Sequence, residues 1–336
     1  MTMKQAVWLA SPGNSHLYRV YSEPLREELT RIVDLYPERI DRDNIRQHHE
    51  AARMADYAFS TWGMPAFSEE EIRQYFPNLK VVFYAAGTVQ GFARPFLNEN
   101  VKVISAWAAN GVPVAEYALA QILLANKGFY QNSRLARQGY EQAYSYSAAF
   151  PGNYHVKVGL LGAGVIGKKL IELLKPFQID VLVFDPFLAD EKAVELGVKK
   201  ASLTEIFTTC QTISNHLANL PATQGIISHE QLDRMLPNAT FINTGRGAQV
   251  VESDLAAALK REPGRTAILD VTDPEPPAAD SDLRYLDNVI LTSHIAGSMN
   301  NELSRMAETI LAELRRLECG EPLLYEVTLK MLETMA

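Results

Sequence analysis

The sequence predicts an α/β protein with two parallel-sheet domains, because three observations agree. The chain has 336 residues, which is long for a single hydrophobic core. Short apolar runs of strand character alternate with helical segments along most of it, which is the pattern of a parallel sheet. Residues 156–185 contain, in order, a strand, a glycine-rich turn, a helix, a second strand and an acidic residue.

The glycine-rich turn has the spacing Gly-x-Gly-x-x-Gly, formed by Gly162, Gly164 and Gly167. In such a turn the first glycine permits a tight bend, the second lets a pyrophosphate approach the backbone, and the third lets helix and strand pack closely. The following helix N-terminus offers unpaired N–H groups to phosphates. Asp185, 18 residues after Gly167, is placed to accept hydrogen bonds from an adenosine ribose. The pattern therefore predicts a Rossmann-like dinucleotide-binding unit.

Composition excludes several function classes. A hydrophobic content of 47% and a charged content of 21% are ordinary for a soluble enzyme. The net charge of −8, with a pI near 5.5, disfavours nucleic acid or an anionic membrane as the main partner. No apolar run reaches the roughly 18 residues that span a bilayer, and no signal-peptide pattern is present, so a cytoplasmic location is expected. Cys210 and Cys319 have no metal-ligand spacing, and we expect no metal and no disulfide framework.

The region before the glycine turn predicts a first α/β domain. Its predicted strands cover residues 6–9, 56–60, 79–84 and 101–105, and its predicted helices cover residues 24–34 and 68–75. Residues 113–127 are apolar nearly all round and predict a buried helix that starts at Pro113. Residues 128–154 have five tyrosines and little periodicity, which predicts an irregular arm, either a subunit interface or a partly ordered surface loop.

From residue 181 onward, strands and helices continue to alternate. Strands are predicted at 181–184, 212–215, 239–243, 266–269 and 289–292, and helices at 203–208, 229–235, 252–260 and 302–319. Arg246, Glu275 and His294 follow predicted strands, where open parallel sheets bind their ligands. The planar guanidinium of Arg246 matches a carboxylate, and His294 exchanges a proton near neutral pH. Each residue alone also fits an ordinary structural role. Arg246 could form a salt bridge, His294 could be a hydrogen-bonded core residue, and Glu275 could be an acid in a turn.

From about residue 55 to about residue 319 the chain resembles the D-isomer-specific 2-hydroxyacid dehydrogenase family. Four motifs resemble the family's signatures in the correct order: 162–167 with Asp185, then 242–247, 269–276 and 292–297. Asn110 and residues 114–116 resemble the family's helix that crosses between domains. Two departures are Val89-Gln90, where an acidic residue is common, and Ala218, where a proline is usual. These departures leave the substrate's identity open.

The resemblance implies two Rossmann-like parallel-sheet domains with the active site in the cleft between them. Residues 1–108, completed by 300–336, would bind substrate, and residues 109–299 would bind NAD. The implied cofactor-binding residues are Gly162, Gly164, Val165, Ile166, Gly167, Asp185, His216, Thr244, Gly245, Asp270, His294 and Gly297. The implied substrate-binding residues are Gly87, Thr88, Arg246 and His294.

The implied catalytic set is Arg246, Glu275 and His294. His294 would be the general acid in keto-acid reduction, Glu275 would favour its protonated form, and Arg246 would bind the substrate carboxylate. Asp270 would contact the nicotinamide carboxamide, and Asp185 would favour NAD over NADP. The expected activity is interconversion of a small 2-keto acid and its D-2-hydroxy acid by a homodimer. The alternatives are a nucleotide-sensing, corepressor-like binding protein and a formate- or phosphite-oxidising relative.

Overall fold

The computed structural model describes residues 3–334, and the chain divides into two compact units. The first unit runs to Asn110 and resumes at Ser298, and the second unit comprises Gly111–Gly297. Each unit contains one sheet, which is mostly parallel in the first unit and wholly parallel in the second. The mixed α/β class with two Rossmann-like sheets that the sequence predicts is therefore confirmed.

The first unit has five parallel strands and one short antiparallel edge strand among its described residues. Its elements are β1 (Lys4–Leu9), α1 (His16–Val20), α2 (Glu23–Thr30), β2 (Val33–Ile40), α3 (His49–Met54), β3 (Tyr57–Ser60), α4 (Glu69–Tyr75), β4 (Val81–Tyr84), α5 (Ala93–Asn98), β5 (Lys102–Ser105), α14 (Leu303–Glu318) and β13 (Glu326–Val327). Phe59 and Phe83 stack with ring centroids 5.0 Å apart in its core. A capping box formed by Ser68 and Glu71 starts α4.

The second unit is a seven-stranded parallel sheet. Its elements are α6 (Trp107–Asn126, which begins in the first unit), α7 (Phe129–Ala136), α8 (Tyr140–Tyr146), β6 (Lys157–Leu161), α9 (Val165–Leu174), β7 (Asp180–Phe184), α10 (Asp190–Leu196), β8 (Lys199–Lys200), α11 (Leu203–Thr209), β9 (Thr212–Asn215), α12 (His229–Leu232), β10 (Thr240–Asn243), α13 (Glu252–Arg261), β11 (Thr266–Leu269) and β12 (Val289–Leu291). The strand order is β13-β5-β4-β3-β1-β2 in the first sheet and β12-β11-β10-β9-β6-β7-β8 in the second. Strand β6 lies between β7 and β9, so the order along the second sheet reverses there. In open sheets, ligands bind at such a reversal.

Two predictions about local structure in the first half of the chain were wrong. The helix predicted to reach residue 34 ends at Thr30, and Val33–Ile40 forms the edge strand β2 instead. A proline argues against a strand, so Pro37 prevented this segment from being predicted as one, although an edge strand tolerates proline. The helix predicted to start at Pro113 starts at Trp107, with Pro113 inside it, and one of its faces is exposed at Glu116 and Leu124.

The predicted irregular arm was also wrong, because residues 128–154 form α7, α8 and a short 3₁₀ turn. The buried residue of α7 is Gln131, whose side-chain amide donates to the Gly264 carbonyl at 3.0 Å. An apolar pattern does not reveal an inward-facing position that holds an amide. Within residues 3–334, no helix has the length and hydropathy that a membrane crossing requires.

Candidate active site

The glycine turn after β6 has the geometry that close approach of a ligand to the backbone requires. Gly162 has φ +95°, and a Cβ at this position would lie 2.7 Å from the His216 carbonyl oxygen. A Cβ at Gly167 would lie 2.1 Å from the Gly162 carbonyl oxygen, so helix α9 packs directly on the turn. Gly164, the N-cap of α9, faces open space. The N-terminus of α9, with Val165 and Ile166 in its first turn, is therefore open to an anionic group.

Asp185 follows β7 and is tied to the same turn. One carboxylate oxygen accepts a hydrogen bond from the Ala163 N–H at 2.7 Å, and the other accepts from the Phe187 N–H at 2.8 Å. The side chain is half-buried, and a carboxylate has about four acceptor positions, so Asp185 retains capacity for ribose hydroxyls. The glycine turn and Asp185 together fit a dinucleotide.

The loop after β10 carries Arg246 on a set of buried amides. Its backbone N–H donates to Gln249 Oε1 at 3.0 Å, and its carbonyl accepts from Asn243 Nδ2 at 3.2 Å. Its guanidinium Nη1 donates to the Gly245 carbonyl at 2.7 Å. Burial lowers the pKa of Arg246, and the charge of Glu275 opposes this shift. An arginine remains protonated in such surroundings, so Arg246 presents a fixed positive charge.

His216, after β9, connects to this loop through hydroxyl groups. Its Nδ1 lies 3.1 Å from Thr244 Oγ1, and its Nε2 lies 2.9 Å from Ser214 Oγ. Burial lowers the pKa of His216 to about 4, so the ring is neutral at ordinary pH. A neutral ring with both nitrogens engaged is a structural partner of the loop and not a proton donor.

The loop after β12 carries His294 in an exposed position. Its Nδ1 lies 2.7 Å from Glu275 Oε1, and both side chains are nearly half exposed, at 46% and 42%. The backbone of His294 has φ +58°, a left-handed conformation that is uncommon outside glycine. Since Glu275 engages Nδ1, the Nε2 atom is the ring nitrogen left to exchange a proton with a ligand.

Asp270, after β11, holds the His294 loop in this conformation. Its carboxylate is buried and accepts hydrogen bonds from the Thr292 hydroxyl at 2.6 Å and from the N–H groups of Ile295 and Ala296 at 2.8 and 3.0 Å. The His294 N–H donates to the Asp270 carbonyl at 3.1 Å. Three of about four acceptor positions are thus occupied, and one is left.

All the predicted site residues in the second unit lie at the carboxyl edge of one sheet. They follow β6, β7, β9, β10, β11 and β12, and the last of them is the half-buried Gly297. Gly87 and Thr88 follow β4 in the first unit. Their N–H groups have no hydrogen-bond acceptor within the described part of the chain. A backbone pair that binds an anion must have its N–H groups unoccupied in this way.

Sequence reasoning missed the amides that support Arg246. Asn215 and Asn243 are the last residues of two adjacent strands and lie opposite each other in the register. The Asn215 amide donates to Asn243 Oδ1 at 3.0 Å and to Gln249 Oε1 at 2.7 Å. The available signal was an asparagine at the same terminal position of two consecutive predicted strands. Gln249 itself has no such signal.

Comparison with known proteins agrees with this geometry. The family model described as "D-isomer specific 2-hydroxyacid dehydrogenase, NAD binding domain" matches residues 119–296, more than half of the chain. The chain belongs to the D-isomer-specific 2-hydroxyacid dehydrogenase family. As a member of it, the chain carries the family's NAD-binding domain.

Relatives in this family cover part of the chain. D-3-phosphoglycerate dehydrogenase of Archaeoglobus fulgidus is 28% identical over 267 residues, which are 79% of this chain and 50% of that protein. The Methanocaldococcus jannaschii protein of the same name is 32% identical over 66% of this chain and 42% of its own length. The chain thus spans about half the length of the curated relatives it matches.

Solved structures support the fold over nearly the whole chain. The apo form of Rhodotorula graminis D-mandelate dehydrogenase aligns with a TM-score of 0.80 and 20% identity, covering 97% of this chain and 98% of that one. A phosphoglycerate oxidoreductase from Rhizobium etli also aligns with a TM-score of 0.80, at 23% identity and the same coverage. At these identities the alignments establish the fold.

Proposed function

We propose that this dehydrogenase reduces a small 2-keto acid to its D-2-hydroxy acid with NADH and catalyses the reverse oxidation. The observation that carries the proposal is the 2.7 Å contact between His294 Nδ1 and Glu275 Oε1, at the same sheet edge as Arg246 and the glycine turn. Bound NADH would supply the hydride to the C2 carbon. The protein's own side chains would then bind the acid and deliver the proton.

The proposal assigns a chemical role to each catalytic side chain. Arg246 binds the substrate carboxylate and polarises the C2 carbonyl through its planar guanidinium. His294 donates the proton to the C2 oxygen from Nε2, and Glu275 stabilises the protonated ring. Within the first unit, the free N–H groups of Gly87 and Thr88 form the proposed anion-binding pair, so we assign substrate binding to this unit.

The cofactor-binding residues are assigned by their positions. Gly162, Gly164 and Gly167, with Val165 and Ile166, bind the pyrophosphate at the start of α9. His216, Thr244, Gly245 and Gly297 line the nicotinamide side, and Asp270 uses its remaining acceptor position for the carboxamide. Asp185 repels a 2′-phosphate, so NAD is preferred over NADP. Equal kcat/KM values for NADH and NADPH would contradict this preference.

A substrate panel with NADH absorbance as the readout tests the reaction. The keto acids are pyruvate, glyoxylate, hydroxypyruvate and longer homologues. The oxidation direction uses D-3-phosphoglycerate and D-mandelate, which the names of the relatives suggest. We expect reversible turnover with at least one pair. NADH binding without turnover of any substrate would support the nucleotide-sensing alternative, and one-way oxidation of formate or phosphite would support the other.

We also propose that the protein assembles as a homodimer through the second unit. Helices α7 and α8 and the segment after them expose large apolar or aromatic side chains, at Phe129, Tyr140, Tyr144 and Tyr154. Aromatic residues are enriched in subunit interfaces. A monomeric mass by light scattering at micromolar concentration would refute this assembly. The cytoplasmic location stays a prediction.

A further inference from the structure

Gln249 is a buried side chain whose amide has every strong hydrogen-bonding position engaged. It has no exposed surface. Its Nε2 donates to the carbonyls of Leu217 and Ala218, both at 2.9 Å, and its Oε1 accepts from Asn215 Nδ2 at 2.7 Å and from the Arg246 N–H at 3.0 Å. One amide thus joins the loop after β9 to the loop after β10.

The partners of Gln249 complete a network that holds Arg246 at both of its backbone groups. Asn215 Oδ1 accepts from the Leu217 N–H at 3.2 Å, and Asn243 Oδ1 accepts from the Gly245 N–H at 3.0 Å. Asn243 Nδ2 donates to the Arg246 carbonyl, and the Gly245 carbonyl accepts from the guanidinium. Both the backbone and the side chain of Arg246 are therefore fixed by groups that the amides orient.

Gly245 and Gln249 are in steric contact, so a side chain at position 245 would clash with the Gln249 amide. A Cβ at Gly245 would lie 2.5 Å from Gln249 Oε1 and 2.8 Å from Asn215 Nδ2, and its φ lies outside the left-handed region. An alanine at this position is therefore excluded by the amides and not by its own backbone. Removing the Gln249 amide would remove the nearest obstacle.

We propose that Gln249 is a positioning residue for the substrate carboxylate: its amide sets the orientation of the Arg246 guanidinium. Gln249 does not touch the reacting atoms and acts through Arg246. This inference rests on the proposed function for its kinetic readout, but its structural readout is independent of any substrate.

The kinetic experiment compares Gln249→Leu with Asn288→Leu, using glyoxylate and NADH. Asn288 is a matched control, because its buried amide also donates to two carbonyls, those of Leu259 and Arg265, at 3.1 and 2.9 Å, before strand β12. We expect Gln249→Leu to raise the KM for glyoxylate at least tenfold with little change in the Kd for NADH, measured by fluorescence. Asn288→Leu should lower Tm with a KM like that of the parent. Equal KM changes in the two variants would overturn the proposal.

A double-mutant cycle separates positioning from general destabilisation. If Gln249 acts through Arg246, Arg246→Lys should reduce kcat/KM by a smaller factor in the Gln249→Leu background than in the parent. Gly245→Ala should lower Tm in the parent but by several degrees less in the Gln249→Leu background. Additive effects in both cycles would overturn the proposal.

Amide hydrogen exchange supplies the readout that needs no turnover. The segment 244–250 should exchange faster in Gln249→Leu than in Asn288→Leu. If Gln249→Leu does not fold, Gln249→Glu, which keeps the Oε1 acceptor, replaces it and should also exchange faster in this segment than Asn288→Leu. Unchanged exchange in this segment would overturn the proposal. If the parent shows no turnover of any keto acid while exchange responds as expected, the proposed function fails and the loop-orienting role of Gln249 stands.

Discussion

Arg246 and His294 follow parallel strands of the same sheet, yet one is held by neutral amides and the other by carboxylates. Arg246 is bonded to Gln249, Asn243 and Gly245 and is mostly withdrawn from solvent. His294 is nearly half exposed, contacts Glu275, and has its loop fixed by Asp270. The difference matches the two tasks. An anion clamp needs a geometry that is independent of pH, whereas a general acid needs proton exchange with solvent and a partner that favours its charged form.

The largest effect should come from removing the acid. Positioned acid catalysis contributes about 10²–10⁴-fold, so His294→Ala should lose a factor of that order in kcat for keto-acid reduction. Its Kd for NADH, measured by fluorescence titration, should stay close to that of the parent. Full activity in His294→Ala would show that His294 is not the general acid, and the two loops would then not differ in the way described.

The second-largest effect should come from replacing the planar guanidinium of Arg246 while keeping its positive charge. Arg246→Lys keeps a cation but loses the planar pair of donors. Hydrogen bonds to charged groups contribute about 1.5–3 kcal/mol, so kcat/KM should fall by roughly 10- to 150-fold with NADH affinity nearly unchanged. Steady-state kinetics at several pH values should show the same factor throughout. A factor that varies with pH would mean that the clamp depends on a titrating group.

Sequence reasoning placed the candidate catalytic residues at one sheet edge but did not identify the groups that support them, and the reason is geometric. Gly162, Arg246 and His294 each follow an apolar strand, and all strand ends of a parallel sheet lie at one edge, so their convergence follows from the order of elements. Gln249 and Asp270 act through backbone groups of neighbouring loops. No spacing in the sequence specifies which carbonyl or N–H a buried amide will reach.

The same reasoning explains the missed secondary structure. Strand β2 contains Pro37 and pairs with β1 on one side only. Helix α7 has the polar amide of Gln131 at its buried position. A prediction that rests on the hydrophobic period does not account for a proline within a strand or for a buried amide within a helix.

His216 sharpens the comparison, because it is the titratable partner of the Arg246 loop. Burial lowers its pKa to about 4 in the folded chain, below the value near 6.5 of an unfolded histidine. Above pH 6.5 the ring is neutral in both states. As pH falls from 6.5 towards 4, only the unfolded chain takes up the proton, so the free energy of unfolding should decrease by about 3 kcal/mol from this group.

Urea denaturation at several pH values measures this loss. His216→Gln should show a shallower decrease between pH 6.5 and 4 than the parent, by up to about 1.4 kcal/mol per pH unit. His16→Gln, which replaces an exposed imidazole, is the control and should keep the slope of the parent. Equal slopes for the parent and His216→Gln would show that His216 is protonated in the folded protein.

The smallest effect should come from the partner of the acid. Glu275→Gln keeps a hydrogen-bonding group near His294 Nδ1, 2.7 Å from the present carboxylate oxygen, but removes the negative charge. Reduction needs the protonated ring, and an adjacent carboxylate favours that form. Without the charge the protonated ring loses this stabilisation, so kcat/KM for keto-acid reduction should fall. The loss should stay within a few-fold of the parent, because the amide still orients the ring. Asp280→Asn removes an exposed charge from the same loop and should leave kcat/KM unchanged. If Glu275→Gln and Asp280→Asn both gave the kcat/KM of the parent, Glu275 would have no electrostatic role, and the two loops would differ in exposure but not in their use of charge.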